Sequence, residues 1–178
     1  MRFAVSVQDV AGVDRSAAVL YASGDQVNFV VPTATAAGPG TITVTTVDGR
    51  QLSAPVLIQT VAPSLFTVAA GIAAAYAVQV APDGTQTIEP VSAPLSLNQP
   101  GQVYLTLFGT GFDAASRLPA AATVQGVSVS VTDAGPQGTA GLDQVNLLLP
   151  TSLAGTGVAA VSVTIGGAMA NTVYITIQ

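Results

Sequence analysis

Short runs of alternating apolar and polar residues, separated by turn residues, make up most of the chain. The clearest run is Asp-Gln-Val-Asn-Phe-Val-Val-Pro-Thr at residues 25–33, which recurs at residues 143–151 as Asp-Gln-Val-Asn-Leu-Leu-Leu-Pro-Thr. In both copies a polar start leads into an apolar run that ends at proline, which is typical of a short strand rather than a helix. The recurrence predicts a duplicated unit.

Further strands flank the first copy. Val5 and Val7 alternate with polar residues before a turn, and residues 41–45 alternate between threonine and aliphatic side chains. This alternation is typical of a strand with one buried face, so the threonines are predicted to lie on the face that meets water. The pair Asp48-Gly49 then predicts a hairpin, because glycine accepts the positive φ that a tight turn requires.

A segment without a counterpart in the first unit separates the two copies. Its alanine-rich start could form a helix by propensity alone. However, Tyr76, Val78 and Val80 alternate with other residues and a Pro-Asp-Gly turn follows, so we predict a β-hairpin here. Three further prolines predict that the rest of the segment is an extended linker.

These patterns predict an all-β fold of two tandem immunoglobulin-like β-sandwich domains with a connecting hairpin. The first domain is predicted to span residues 1–63, the linker with its hairpin residues 64–100, and the second domain residues 101–178. The Val-Ser-Val run at residues 127–131 is interpreted as the second copy of the strand that contains Val5.

The two predicted domains differ by one strand. The second has an apolar strand at residues 103–108, well upstream of its Val-Ser-Val run, whereas only four residues precede Val5. A sandwich that is one strand short exposes unpaired N–H and C=O groups and an apolar groove, which can pair with another chain. We therefore predict an assembly edge at Phe3, Val5 and Val7.

The sequence leaves three sources for this missing strand. One source is an upstream segment of a longer protein. A second is the strand of Tyr76, Val78 and Val80, which would fold back as a donor that fills the gap. A third is a strand of a neighbouring copy, which would give a head-to-tail polymer, since a heterologous contact that does not close on itself forms a filament.

The chain has few charged residues, and this excludes some classes of partner. Charged residues make up 7% of the sequence, the net charge is -5, and all four cations are arginine. A surface for nucleic acid needs clustered Lys and Arg, so nucleic acid is not an expected partner. The most apolar segment, residues 65–82, contains polar interruptions and falls short of the ~20 residues that span a bilayer, so membrane insertion is not expected either.

The nucleophiles and bases available for catalysis reduce to Ser, Thr, Tyr, Asp and one Glu. The sequence has no His, Cys or Lys, and Glu89 is the single Glu. Aspartates fall mainly in turns, where Asp bonds the local backbone, so we predict a protein that is not an enzyme and has no cofactor. Asp9 with Asp14, or Asp133, would be the best calcium ligands, but they lack the dense spacing of a dedicated loop.

Two further groups of side chains are candidates for binding surfaces, although each also has a structural interpretation. The repeated Gln-Val-Asn triplet is expected to bond loop backbone where its strand begins, because buried amides need partners. Four tyrosines are candidates for stacking on sugars, although each lies in a predicted strand: Tyr21, Tyr76, Tyr104 and Tyr174.

Several motifs resemble a known type of domain. Gly109-Thr-Gly-Phe112 and Gln144-Val-Asn-Leu-Leu-Leu-Pro150 are similar to motifs of the immunoglobulin-like IPT/TIG domains. More closely, residues 105–111, 141–146, 149–150, 152–155 and 170–173 resemble the uncharacterised C-terminal domain of large secreted acidobacterial proteins (the Solibacter C-terminal type), and the first unit resembles the repeat that precedes it. The resemblance implies a secreted, cell-surface or matrix-associated β-sandwich without assigned chemistry.

The expected function is therefore structural. We predict a non-catalytic extracellular or cell-surface protein that self-associates with other copies of itself into a filament or matrix, by donor-strand complementation. The alternative is a carbohydrate- or surface-binding module of a larger secreted protein, with polysaccharide as its ligand. An exposed aromatic cluster would favour that alternative.

Overall fold

The computed structural model describes residues 3–112 and 118–178, and this part of the chain is almost entirely β-structure. The predicted all-β class is confirmed. The chain divides into two compact units, Met1–Thr60 and Val61–Gln178. None of the helical segments in the described ranges has the length and apolar character needed to cross a bilayer.

Unit 1 is one antiparallel sheet. Its strands are β1 (Ala4–Gln8), β2 (Asp14–Ala22), β3 (Val27–Val30), β4 (Gly38–Thr45) and β5 (Gln51–Ile58). Their order across the sheet is β3-β2-β1-β4-β5. β1 therefore lies in the middle, between β2 and β4.

The two faces of this sheet differ as the alternation predicts. Val5 lies opposite Val44, and Val7 lies opposite Ile42, so these side chains share one face. The threonines of β4 point to the other face. The predicted turn also forms, since Gly49 has φ +82° and Thr46 N–H donates to Arg50 O across the β4–β5 hairpin at 2.9 Å.

Unit 2 contains the other strands. They are β6 (Ser64–Leu65), β7 (Thr67–Ala69), β8 (Ile72–Ala73), β9 (Ala75–Val80), β10 (Gln86–Pro90), β11 (Gln102–Thr110), β12 (Ala120–Val124), β13 (Val127–Pro136), β14 (Asp143–Leu149), β15 (Gly157–Ile165), β16 (Ala168–Met169) and β17 (Val173–Ile177). A short 3-10 helix, Thr151–Leu153, follows β14. The order is β10-β9-β11-β14-β13-β12-β15-β17-β8-β7, with β16 beside β15 and β6 beside β11.

This sheet curls into two layers around a core. One end of β13 pairs with β12 and the other with β14, so the strand passes from one layer to the other. The core holds Leu105, Leu107, Val145 and Leu147 from one layer, Val161, Val163, Val173 and Ile175 from the other, and Leu95, Leu97, Phe112 and Leu153 from the connections. The arrangement is that of a β-sandwich.

The duplication is visible in the order of the strands. The order β3-β2-β1-β4-β5 of unit 1 recurs as β14-β13-β12-β15-β17 in unit 2. The register recurs as well: Val19 lies opposite Phe29 just before a bulge in β2, and Val131 lies opposite Leu147 just before a bulge in β13. Because a bulge is a specific local irregularity, its recurrence at the same pair identifies these five strands of unit 2 as copies of the unit 1 strands.

This alignment corrects one equivalence drawn from the sequence. The Val-Ser-Val run at 127–131 lies in β13, which is the copy of β2 and not of β1. The copy of β1 is β12, where Ala122 and Val124 occupy the positions of Val5 and Val7. The alanine-rich sequence of β12 lacks the alternation that would have marked it as a strand.

The segment predicted as a linker is part of unit 2. The hairpin forms, with β9 and β10 paired antiparallel. However, β9 also pairs with β11 along six residues, and β6 pairs with the end of β11. Residues 64–100 therefore belong to unit 2, which begins at Val61 rather than at residue 101.

Candidate functional site

The predicted assembly edge is not an edge. Val5 and Val7 lie on β1, which pairs on both sides, and their side chains are 3% and 1% exposed. Phe3, directly before β1, is half-buried. The central place suits β1 because its valines are the most buried apolar side chains described in unit 1. An open edge has to be sought elsewhere in this sheet.

The predicted donor strand is not free either. Tyr76, Val78 and Val80 lie on β9, which is held between β10 and β11. Filling a gap in unit 1 would require β9 to leave both partners. The second of the three proposed sources of a strand is therefore wrong.

The open edge of unit 1 is β3. In unit 2, the copy of β3 is β14, which pairs with β13 on one side and with β11 on the other. β3 pairs with β2, and among the described residues no strand pairs with its outer side. The vacancy inferred from the sequence thus lies at Val27–Val30, beside the segment that the duplication repeats.

Backbone geometry shows which groups of β3 face outward. Ser23 N–H donates to Gln26 O at 2.7 Å, on the side of β2. In a trans peptide the N–H of the next residue points the opposite way, so Val27 N–H points to the outer side. Backbone directions alternate along an antiparallel strand, which places the N–H and C=O of Phe29 on the outer side too.

The Gln-Val-Asn triplet carries the same side-chain bond in both units. Gln26 Nε2 donates to Asn28 Oδ1 at 2.7 Å, and Gln144 Nε2 donates to Asn146 Oδ1 at 2.7 Å. The expectation that these amides bond loop backbone is wrong. In unit 2 the same Asn146 oxygen also accepts Thr106 Oγ1 of β11 at 2.9 Å. The triplet of unit 2 thus contacts β11, a strand without a counterpart among the described residues of unit 1.

The aspartate of the repeated segment also contacts β11 or its corner in unit 2 but not in unit 1. Asp143 is buried, and its Oδ2 accepts Phe112 N–H at 2.6 Å, at the corner that follows β11. Its counterpart Asp25 is exposed and accepts the hydroxyl of Ser23. Two polar positions of the repeat therefore contact β11 and its corner in unit 2, and lie at the open edge in unit 1.

The opposite edge of unit 1 is closed by a proline. Pro55 of β5 occupies the position of Tyr174 in β17, as the pairs Thr41–Pro55 and Ala160–Tyr174 show. Tyr174 N–H donates outward to Gly71 O at 2.9 Å. Proline has no N–H, and proline in an edge strand blocks further pairing. The two edges of the unit 1 sheet thus differ in their capacity to accept a strand.

Within the described part of unit 1, no second strand layer covers either face of the sheet. Val161, Val163, Ile175 and Leu147 of unit 2 are fully buried or nearly so. Their counterparts in unit 1, Ile42, Val44, Val56 and Phe29, are half-buried. The copies of β9, β10 and β11 would cover this face, so the difference follows from the missing layer.

A shallow depression of about 440 Å³ lies on the outer face of unit 2. It is lined by Tyr76, Val78 and Val80 of β9, by Gln86 and Tyr104, and by the hydrogen-bonded group of Thr106, Gln144 and Asn146. Tyr76 packs against Phe108 with ring centroids 5.7 Å apart, and Tyr104 Oη donates to Gln102 Oε1 at 2.9 Å. Of the four candidate tyrosines, the fold brings these two together; Tyr21 and Tyr174 do not line the depression.

Asp9 is a structural anchor in unit 1. Its carboxylate accepts the N–H groups of Ala11, Val13 and Ala36 and pairs with Arg15 at 2.5 Å. Asp9 thereby joins the β1–β2 turn to the β3–β4 connection. These bonds lower the pKa of Asp9 to about 2, and the bond from Ala36 N–H has the largest effect. Its oxygens accept the three backbone N–H groups and the Arg15 guanidinium. The described residues hold no group of three His, Cys, Asp or Glu side chains that could bind a metal ion.

We expect Asp9→Asn to lower the stability of unit 1 at neutral pH. Because the folded-state pKa lies below that of the unfolded chain, the carboxylate stabilises the fold above about pH 4 and loses this effect as the pH falls through about 2. In urea denaturation, the difference in the free energy of unfolding between wild type and Asp9→Asn should therefore become smaller from pH 5 to pH 2. Asp14→Asn, at an exposed position on β2, is the control; a difference that does not depend on pH would contradict the assignment.

One clamp in unit 2 was missed at the level of sequence. Asn171 accepts Leu65 N–H at 2.8 Å and donates to Leu65 O at 3.1 Å, which holds β6 against the sandwich. A single Asn in a turn-like Ala-Asn-Thr run carries no signal of a partner 106 residues away.

Comparison with known proteins adds no identification. The chain matches no model of a known protein family and no curated protein. The resemblance to the acidobacterial C-terminal domain stays a prediction.

Proposed function

We propose that the chain is a non-catalytic structural building block of an extracellular filament or matrix, in which copies associate through strand complementation of unit 1. One observation carries the proposal. Unit 1 repeats five strands of unit 2 in the same order and register, but no strand of the described chain pairs with the outer side of β3, where unit 2 continues into β11.

The physical chemistry of this edge favours association. An unprotected edge strand offers a row of N–H and C=O groups to another chain, and soluble proteins usually block such edges with charge or proline. β5 has its proline at residue 55, whereas β3 carries neither proline nor charge. A strand added here would also begin to cover the half-buried apolar face, which adds hydrophobic stabilisation to the backbone hydrogen bonds.

The association would be heterologous. The outer side of β3 is an acceptor. Where the donor is a different surface of the next molecule, the contact does not close on itself and generates a filament. The low content of charged residues, 7%, means little repulsion between copies.

The test is the mass of the purified chain in solution. We expect light scattering to show a mass that grows with protein concentration, and negative-stain electron microscopy to show filaments with a repeat near one subunit length. A mass equal to one chain at every concentration, with no filaments, would overturn self-association.

A second candidate function rests on the depression of unit 2. Two tyrosines beside amide and hydroxyl groups, with no charged side chain in the lining, are the chemistry that binds neutral polysaccharides. In a pull-down on insoluble neutral polysaccharides, Tyr104→Ala should then lose most of the binding, while Tyr21→Ala, at an exposed position outside the depression, should keep it. Equal binding of the two variants would exclude this surface.

A further inference from the structure

We infer that the outer edge of β3, with Asp25 and Asn28, is a binding site for an extended segment of a partner polypeptide whose sequence follows the pattern of residues 102–112. The inference rests on the proposed function and specifies the ligand of the same site. The partner presents aliphatic residues on either side of a hydroxyl residue, followed by a Gly-x-Gly-aromatic corner. The second unit is the template for each of these requirements.

The register of the bound segment follows from unit 2. In unit 2, Leu105 lies opposite Leu147, Thr106 opposite Asn146, and Leu107 opposite Val145. The copies of these three acceptor positions are Phe29, Asn28 and Val27. A partner strand would therefore run antiparallel to β3 with aliphatic residues opposite Phe29 and Val27, where the outward N–H and C=O groups lie.

The hydroxyl requirement comes from Asn28. Asn146 accepts from Gln144 and from Thr106 at the same Oδ1 atom. Asn28 accepts from Gln26 with the same length and is exposed, so its oxygen is accessible to a second donor. A Thr or Ser of the partner, opposite Asn28, reproduces the bond that Thr106 makes.

The corner requirement comes from Asp25. In unit 2, Gly109 lies opposite Asp143, and the chain turns at Gly111, whose φ is +80°. The turn brings Phe112 N–H to Asp143 and buries the Phe112 ring completely. Asp25 occupies the place of Asp143, so the partner's corner would bring an N–H to Asp25 and an aromatic ring over the apolar face of unit 1.

The polar residues of the repeat argue for a ligand of this type rather than for any extended peptide. A strand that bonded the backbone alone would not contact the side chains of Asp25, Gln26 and Asn28, which in unit 1 bond only Ser23 and one another among the described residues. These are the three side chains whose copies at 143, 144 and 146 contact β11, its corner or one another. Their retention in unit 1 marks the edge as a site with sequence preference.

The experiment uses the full chain and a synthetic peptide of residues 102–112, with two added N-terminal lysines for solubility and a fluorescent label. We expect saturable binding in fluorescence anisotropy, and none with a scrambled peptide of equal composition. Val27→Pro, which removes an outward N–H, should lose the binding, whereas Leu57→Pro on the outer side of β5 should keep it. Binding that survives Val27→Pro, or equal binding of the scrambled peptide, would overturn the inference.

A double-mutant cycle tests the side-chain contact. The peptide change Thr106→Val and the protein change Asn28→Ala should each weaken binding by about 2- to 10-fold, the range for one hydrogen bond. Combined, they should weaken it no further than one change alone, since both remove the same bond. Fully additive effects would overturn the assignment of Asn28.

The two proposals fail separately in this design. Peptide binding by a chain that stays monomeric at every concentration keeps the β3 site and overturns self-association. Assembly by a chain that does not bind the peptide overturns the β3 site as described here. Assembly that the peptide inhibits supports both.

Discussion

Replacing Val27 by proline should abolish assembly of the chain. The N–H of Val27 points away from β2, because the C=O of the same peptide group accepts Ser23 N–H on the side of β2. Proline at this position removes the first outward donor of β3 and leaves the bonds to β2 in place. We expect light scattering to give the mass of a single chain for Val27→Pro at concentrations where the wild type is polymeric.

Leu57→Pro is the matched control for this prediction. Leu57 lies on the outer side of β5, two residues after Pro55, and its side chain is exposed. The substitution therefore makes the same chemical change at the opposite edge of the same sheet. Wild-type assembly by Leu57→Pro, with unchanged circular dichroism of both variants, would locate the contact at β3. Loss of assembly in both variants would contradict a specific role for β3.

The second large effect is expected on stability. Leu147 of β14 is completely buried, and Leu147→Ala should lower the free energy of unfolding of unit 2 by about 2–5 kcal/mol, the usual cost of such a cavity. Its copy in unit 1, Phe29, is half-buried on the uncovered face. Although Phe is the larger side chain, Phe29→Ala should cost unit 1 less than Leu147→Ala costs unit 2.

Urea denaturation followed by tyrosine fluorescence can separate these effects. Tyr21 is the single tyrosine of residues 1–60, and the other three lie in residues 61–178. Variants with either Tyr21 or the other three changed to Phe report on one unit at a time. An equal or larger loss for Phe29→Ala would show that unit 1 has a complete core and would contradict the missing layer.

Strand positions were well predicted where the local signal is strong. Alternation with period two identified β1, β4 and β9, and the Asp-Gly and Pro-Asp-Gly turns identified two hairpins, because strand faces and turn geometry depend on neighbouring residues. β12 lacked this alternation and was missed. As a result, β13 was matched to β1, an error of one strand in the alignment of the two units.

The candidate site was likewise predicted in part: the sequence indicated that a strand is missing but not where. The repeated segment 25–33 and the shortage of one strand were both recognisable in the sequence. The place of the vacancy was predicted at β1, because a strand absent at the start of a unit was expected to leave the first strand exposed. In the fold, β1 is central, and the vacancy lies beside β3, since the copy of β3 is the neighbour of β11.

The sequence by itself determined the all-β class, the duplication, the polar and apolar faces and the absence of His, Cys and Lys. The tertiary structure alone decided which strands are central, which edge is open and which unit the hairpin at 75–90 belongs to. The physical reason is that alternation specifies which face of a strand is buried but carries no information on which strand lies beside it. Pairing partners are chosen by long-range hydrogen bonds and by the core they enclose.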